Sequence, residues 1–140
     1  MSREKIEKKA YSYMASGFNC AESVLLATIE SRINDLDGEL PRVASALGGG
    51  VGGTHEELCG ALSGGVLAIG LLYGRTRPGV DVQKAKDLAT EYRARFAKEF
   101  GCTKCSTLLE GFGEQNDSDK CRALTGQAAG LLSDILDEKG

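Results

Sequence analysis

The chain has 140 residues, of which 41% are apolar and 26% charged, and its formal net charge at pH 7 is −3. This length fits a single domain, residues 1–140, with its own core. Acidic and basic residues are mixed without the basic stripe that nucleic-acid binding requires, so no nucleic-acid partner is expected. The N-terminus lacks the apolar core of a signal peptide, which favours a cytoplasmic protein with reduced thiols.

The apolar residues recur with a helical period along almost the whole chain, and no alternating strand pattern is convincing. The first three helices are predicted over 3–16, 19–33 and 41–48. The second is predicted to begin at Asn19, which can cap it together with Glu22 three residues later in a capping-box pattern. The third is short and begins with a proline, a residue that suits the first helical position.

The fourth predicted helix is unusually smooth and rich in glycine. Thr54 and Glu57 have the spacing of a capping box, so the helix is predicted to begin at His55. It then runs through sixteen residues without a charge, Leu58–Tyr73. A membrane span needs about 20 residues, so a membrane partner is not expected. We expect a buried central helix whose glycines let neighbouring backbones come close, since glycine otherwise destabilises a helix.

Two further helices complete the prediction. One covers 82–100 and carries an apolar stripe, and the last begins near 117–119. Between them lie the segment "GCTKC" and a predicted turn, "STLLEG". The sequence therefore predicts an all-α bundle of about six helices around the buried glycine-rich helix. An apolar helical surface of this kind is compatible with a homodimer.

The five cysteines are the most informative residues for function. They are Cys20, Cys59, Cys102, Cys105 and Cys121. An odd number cannot pair completely within one chain. In a reducing compartment such a set indicates metal binding or redox chemistry, although a free cysteine is also often a small buried hydrophobe. Three are predicted near helix N-termini, where the dipole and free amides lower a thiol pKa.

Cys102 and Cys105 form a CxxC motif, which can be a redox pair, half of a metal site or chance. No second local pair accompanies it, so any four-cysteine site must come from distant segments. His55 is the only histidine, which excludes a His-rich metal site, and a lone histidine of this kind is more often solvent-exposed and silent. The glycine run 48–53 matches G-x-G-x-x-G without a preceding strand, so it predicts a tight bend and not a dinucleotide site.

Several segments resemble the C_GCAxxG_C_C family, to which a redox role is ascribed: "FNCAESVL", "GGGVGG", "CGALSGGVLAIGLLYG" and "CSTLLEG". The resemblance extends from Tyr11 to about Ile135 and is most specific at the CGAxxG segment, 59–64. It implies a small helical domain, sometimes joined to electron-transfer modules, with a redox or iron–sulfur role. The family's four cysteines correspond to Cys20, Cys59, Cys105 and Cys121. Cys102 lies outside this pattern.

Three functions are compatible with these features. In the first, the four family cysteines converge and either bind an iron–sulfur cluster or cycle between dithiol and disulfide. Cys102 would then be a resolving or spare thiol, and the redox partner is an unidentified protein. In the second, the same cysteines hold a structural zinc ion. In the third, the protein binds a small molecule and the cysteines only pack. Whether the protein is an enzyme stays open.

Overall fold

A computed structural model describes residues 2–140, which form helices joined by turns. The six α-helices are α1 (Arg3–Ala15), α2 (Cys20–Glu30), α3 (Gly60–Tyr73), α4 (Gln83–Phe100), α5 (Cys105–Phe112) and α6 (Asp119–Lys139). A 3₁₀ helix, Leu40–Ala44, precedes the glycine run. No strand occurs in the described part of the chain, which has only one isolated bridge, Leu58 to Lys104. The predicted all-α bundle of about six helices is confirmed.

The most enclosed helix of the bundle is α2. It packs against α1, α3, α6 and the 3₁₀ helix, and eight of its eleven residues are buried. The glycine-rich α3 was expected to hold this position, and that expectation is not confirmed. One face of α3 packs on α2 and α4, while Val66 is 40% and Leu71 54% exposed. α3 therefore has an apolar face turned toward solvent.

Two glycines of α3 let it come close to its neighbours, as predicted for this segment. A Cβ on Gly64 would lie 2.7 Å from the Cα of Ala21 in α2. A Cβ on Gly65 would collide with the ring of Tyr92 in α4, whose hydroxyl donates a hydrogen bond to the Ala61 carbonyl oxygen at 2.8 Å. The absence of side chains at these two positions sets how closely both neighbouring helices approach.

Three predicted elements differ from the structure. The prediction of a helix beginning at His55 is wrong, because α3 begins at Gly60 and residues 54–58 are irregular. "STLLEG" is part of the helix α5 and not a turn. The third predicted helix is the shorter 3₁₀ segment 40–44, and the chain continues through turns to residue 53.

The glycine run forms a left-handed turn. All five residues of 49–53 have φ between 62° and 72°, the left-handed region that L-residues rarely adopt. Four are glycines, which enter this region without steric penalty, and the fifth is the β-branched Val51. A Cβ on Gly50 would lie 2.7 Å from the Cβ of Cys105. The predicted tight bend is present, and it lies against the start of α5.

The uncharged segment Leu58–Tyr73 is shorter than the stretch of about 20 residues that a membrane span needs. Among residues 2–140, no helix is both long and apolar enough to cross a membrane.

Candidate functional site

Four of the five cysteines line one cavity with a volume of about 280 Å³. Each comes from the N-terminal end of a different helix. Cys20 begins α2, Cys59 is the N-cap of α3, Cys105 begins α5 and Cys121 is in the first turn of α6. The cavity therefore lies where four helix N-termini meet, and its cysteines are the four that the resemblance in sequence implied.

Local capping holds Cys20 in place. The Glu22 amide donates to the Asn19 side-chain oxygen at 2.8 Å, and the Asn19 amide donates to the Glu22 carboxylate at 2.9 Å. This confirms the predicted capping box. The Asn19 side chain also donates to the Ser45 carbonyl oxygen at 3.0 Å, which ties the start of α2 to the segment after the 3₁₀ helix. A Cβ on Gly60 would collide with the sulfur of Cys20, so that glycine lets the sulfur rest against the start of α3.

A short antiparallel contact between 55–59 and 103–106 positions Cys59 and Cys105. The Cys59 amide donates to the Thr103 carbonyl oxygen at 2.8 Å, and the Cys105 amide donates to the Glu57 carbonyl oxygen at 2.9 Å. These two bonds bring together cysteines that are far apart in the chain. They also explain why a helix begins at Cys105.

Cys121 is held by a residue that the sequence did not single out. The Cys121 amide donates to the side-chain oxygen of Gln115 at 2.9 Å, and the side-chain nitrogen of Gln115 donates to the Cys121 sulfur at 3.3 Å. Gln115 lies in the polar loop between α5 and α6 and also lines the cavity. Its place in a run of polar residues gave no signal of this role.

Burial dominates the ionisation of Cys59. Burial, with smaller contributions from the nearby Cys20 and Cys105, raises the pKa of this thiol from 9.0 to about 12. The amides of Ala61 and Leu62 at the start of α3 favour the thiolate, but they offset only part of the increase. The expectation that a helix N-terminus lowers the thiol pKa is therefore wrong at Cys59, because desolvation of the charge exceeds the effect of the dipole.

Burial is also the largest influence on the thiol pKa of Cys105 and Cys121. Burial raises the pKa of Cys105, and Cys20 and Cys121 add to the increase. Burial also raises the pKa of Cys121, while the hydrogen bond from Gln115 opposes it. Among the described residues that line the cavity there is no lysine, arginine, aspartate or glutamate. Formation of a thiolate at these positions is opposed by burial and by the neighbouring sulfurs, and the described wall has no lysine or arginine to balance the charge.

His55 and Cys102 occupy different positions relative to the cavity. His55 lines it, although its side chain is also exposed, and its backbone has a φ of 65°. The carbonyl oxygen of His55 accepts a hydrogen bond from the Ser106 amide at 2.8 Å, which holds the residue beside α5. Cys102 is absent from the cavity wall and packs, partly buried, against the hydrophobic core. The two thiols of the CxxC motif thus lie in different environments.

All five cysteines are free thiols in this structure. Within residues 2–140, no group of three or more histidine, cysteine, aspartate or glutamate side chains has the geometry to hold a metal ion. The cavity therefore brings four sulfurs to one wall without gathering three of them around a single point.

Comparison with protein families identifies the chain. A family model described as "Putative redox-active protein (C_GCAxxG_C_C)" matches residues 18–135. The chain belongs to the C_GCAxxG_C_C family. The match begins just before Cys20 and extends beyond Cys121, so it includes all four cysteines of the cavity. No curated protein and no solved structure was found to be similar to this C_GCAxxG_C_C protein.

Proposed function

We propose that the four-cysteine cavity is a redox centre through which the protein exchanges electrons with a partner protein. The observation that supports this most is the convergence of four thiols from four helices on one cavity. Cys20 is close enough to raise the pKa of each of the other three. Membership of a family described as redox-active points in the same direction.

The centre has two possible chemical forms. In the first, two neighbouring thiols give up two electrons and two protons and join as a disulfide. In the second, Cys20, Cys59, Cys105 and Cys121 would hold an iron–sulfur cluster, whose ligands are divided among several irons and need not meet around a single point. Four cysteines are the donor set that [2Fe–2S] and [4Fe–4S] clusters use, and the cavity provides about 280 Å³ for a group between them. Such a cluster supplies one-electron transfer when it is bound.

The residues of the chain have the same task in both forms. The four sulfurs are presented to one cavity, and the apolar side chains of its wall limit the access of water. The apolar side of the wall consists of Met14, Leu108, Leu109, Phe112 and Leu124. Because burial raises the pKa of Cys59, Cys105 and Cys121, binding a metal must displace their protons, which couples binding to pH. We also propose a cytoplasmic location, where cysteines are kept reduced.

The test begins with protein purified without oxygen. Its absorption spectrum and its iron, zinc and sulfide content are measured first. Metal-free protein is then equilibrated with thiol–disulfide buffers, and its disulfides are mapped by mass spectrometry. We expect either a coloured protein with iron and sulfide and a reversible midpoint potential, or a colourless protein with one reversible disulfide among the four cavity cysteines.

Two serine variants localise the activity. Cys20→Ser removes the thiol that is next to the other three and should abolish the cluster or change the disulfide. Cys102→Ser is the matched control, since Cys102 lies outside the cavity wall, and it should leave both unchanged. A protein with zinc alone would indicate a structural site. Metal-free thiols that resist oxidation would indicate packing, and loss of activity in Cys102→Ser would move the centre to the CxxC motif.

A further inference from the structure

One loop residue makes a two-point contact with a cavity cysteine. Gln115 receives a hydrogen bond from the Cys121 amide on its side-chain oxygen, with a nitrogen–oxygen distance of 2.9 Å. Its side-chain nitrogen donates to the Cys121 sulfur at 3.3 Å. Both residues line the cavity. The carboxamide of Gln115 is therefore hydrogen-bonded to both the backbone amide and the sulfur of Cys121.

The direction of this contact follows from chemistry. A backbone amide can only donate a hydrogen bond, so the oxygen of the Gln115 carboxamide must face the amide of Cys121. The NH₂ group at the other end of the carboxamide then faces the sulfur. The opposite orientation would bring two donors together at the amide. The hydrogen bond to Cys121 Sγ is thus imposed by the hydrogen bond to the Cys121 backbone.

We propose that Gln115 is a positioning residue that stabilises negative charge on Cys121 Sγ and thereby tunes the redox centre. This inference rests on the redox role proposed above. A hydrogen bond to a charged acceptor stabilises more than one to a neutral acceptor, by about 1 kcal/mol. In a cluster, reduction adds negative charge that the ligand sulfurs share, so the hydrogen bond raises the reduction potential. In thiol–disulfide exchange, negative charge resides on the attacking thiolate.

The groups around Cys121 make the hydrogen bond from Gln115 important for the charge on its sulfur. Among the described residues, Cys121 is the one cysteine whose sulfur accepts a side-chain hydrogen bond. The described lining residues include no lysine or arginine that could replace the donor.

The test uses two substitutions of Gln115 and one control. Gln115→Leu removes both hydrogen bonds. Gln115→Glu keeps an acceptor for the Cys121 amide, but it has no donor for the sulfur and adds a negative charge beside it, so its effect on the sulfur should exceed that of Gln115→Leu. Gln127→Leu is the control, because Gln127 is an exposed glutamine of α6 that lies outside the cavity wall. Thermal unfolding checks that each variant folds. If Gln115→Leu does not fold, Gln115→Glu alone is compared with the wild type.

The chemical form of the centre decides which of two measurements applies. If the protein binds a cluster, both Gln115 variants should lower its midpoint potential, with a tenfold change in the equilibrium constant equal to 59 mV for one electron. In metal-free protein, the Cys121 thiolate attacks one sulfur of the small neutral hydroxyethyl disulfide. A mixed disulfide forms and one mercaptoethanol thiolate leaves. Mass spectrometry should show this reaction slowed by at least about twofold in both variants, because a loss of about 1 kcal/mol lowers the thiolate fraction about fivefold while the more basic thiolate is a stronger nucleophile.

The outcomes separate the two proposals. A wild-type protein with neither a reversible potential nor a reversible disulfide would refute the redox role itself, before any variant is compared. A working wild-type centre with unchanged potential and exchange rate in Gln115→Glu would refute the role of Gln115 alone. The same change in Gln127→Leu as in the Gln115 variants would also refute it, since the effect would then not depend on the contact with Cys121.

Discussion

Two glycines of α3 should respond in opposite ways to replacement by alanine. A Cβ on Gly64 would lie 2.7 Å from the Cα and 2.8 Å from the carbonyl carbon of Ala21, both of which are backbone atoms of α2. A Cβ on Gly70 would meet nothing within 4 Å. The same substitution at two sites in one helix therefore compares a close interhelical contact with intrinsic helix propensity.

The magnitudes follow from these two surroundings. Alanine is about 1 kcal/mol more favourable than glycine inside a helix. Nothing opposes this gain at Gly70, so Gly70→Ala should increase the free energy of unfolding by about 0.5–1 kcal/mol. At Gly64 the new methyl group meets backbone that cannot rotate away, and overpacking of this kind costs about 1–3 kcal/mol. Gly64→Ala should therefore decrease the free energy of unfolding by about 1–2 kcal/mol.

Urea unfolding of the reduced protein, followed by circular dichroism, measures both variants against the wild type. Their midpoints should move in opposite directions at a similar slope, because the surface exposed on unfolding is unchanged. A Gly64→Ala variant at least as stable as Gly70→Ala would refute the reasoning. It would mean that the distance between α2 and α3 is not set by the missing side chain at Gly64.

Three further predictions concern the left-handed turn, the thiols and a buried hydroxyl. Val51→Gly should raise the free energy of unfolding, measured in urea, by up to about 1 kcal/mol. A positive φ costs an L-residue about 1–2 kcal/mol, and the larger conformational entropy that glycine loses on folding offsets only part of the gain from removing this cost. Gly52→Ala, at φ 63° with open space around the new Cβ, should lower it by about 1–2 kcal/mol. In reductant, stability should fall as pH rises from 9.0 toward about 12, because the folded protein holds the Cys59 proton more tightly than the unfolded chain does. Urea unfolding at several pH values should show a smaller loss for Cys59→Ala. Tyr92→Phe should lower stability by about 1 kcal/mol in thermal unfolding, because the Ala61 carbonyl oxygen loses a buried hydrogen bond.

Each of these predictions has a contrary result. A Gly52→Ala variant more stable than the wild type would show that this residue does not need positive φ. Equal losses of stability at alkaline pH in wild type and Cys59→Ala would show that the Cys59 thiol ionises as easily in the folded protein as in the unfolded chain. An unchanged melting temperature in Tyr92→Phe would show that the hydroxyl adds nothing to the contact between α3 and α4.

Local signals in the sequence predicted several helix ends well. The capping box of Asn19 and Glu22 placed the start of α2, and the helix predicted over 82–100 is α4, Gln83–Phe100. Gly101 ends α4 with a φ of 89°, the left-handed cap that glycine favours. Caps of this kind depend on residues three or four positions apart, so a single sequence contains the information.

The prediction failed where distant segments pair. The spacing of Thr54 and Glu57 suggested a helix at His55, but residues 55–59 instead bond to 103–106. That pairing delays α3 to Gly60 and starts α5 where a turn was expected. Hydrogen bonds between segments more than forty residues apart outweighed a local capping pattern, and no periodicity within either segment reveals them.

The sequence by itself determined the helical class of the protein, the tight bend of its glycine run and the order of its cysteines. It also determined membership of a redox-associated family, because the motif around Cys59 is a local pattern. Only the tertiary structure decided that four cysteines share a cavity, that Cys102 lies outside it and that Gln115 contacts Cys121. It also reversed the expected effect of the helix N-termini on the thiols of Cys59 and Cys121, since desolvation depends on the packing of distant segments and a helix dipole alone does not report it.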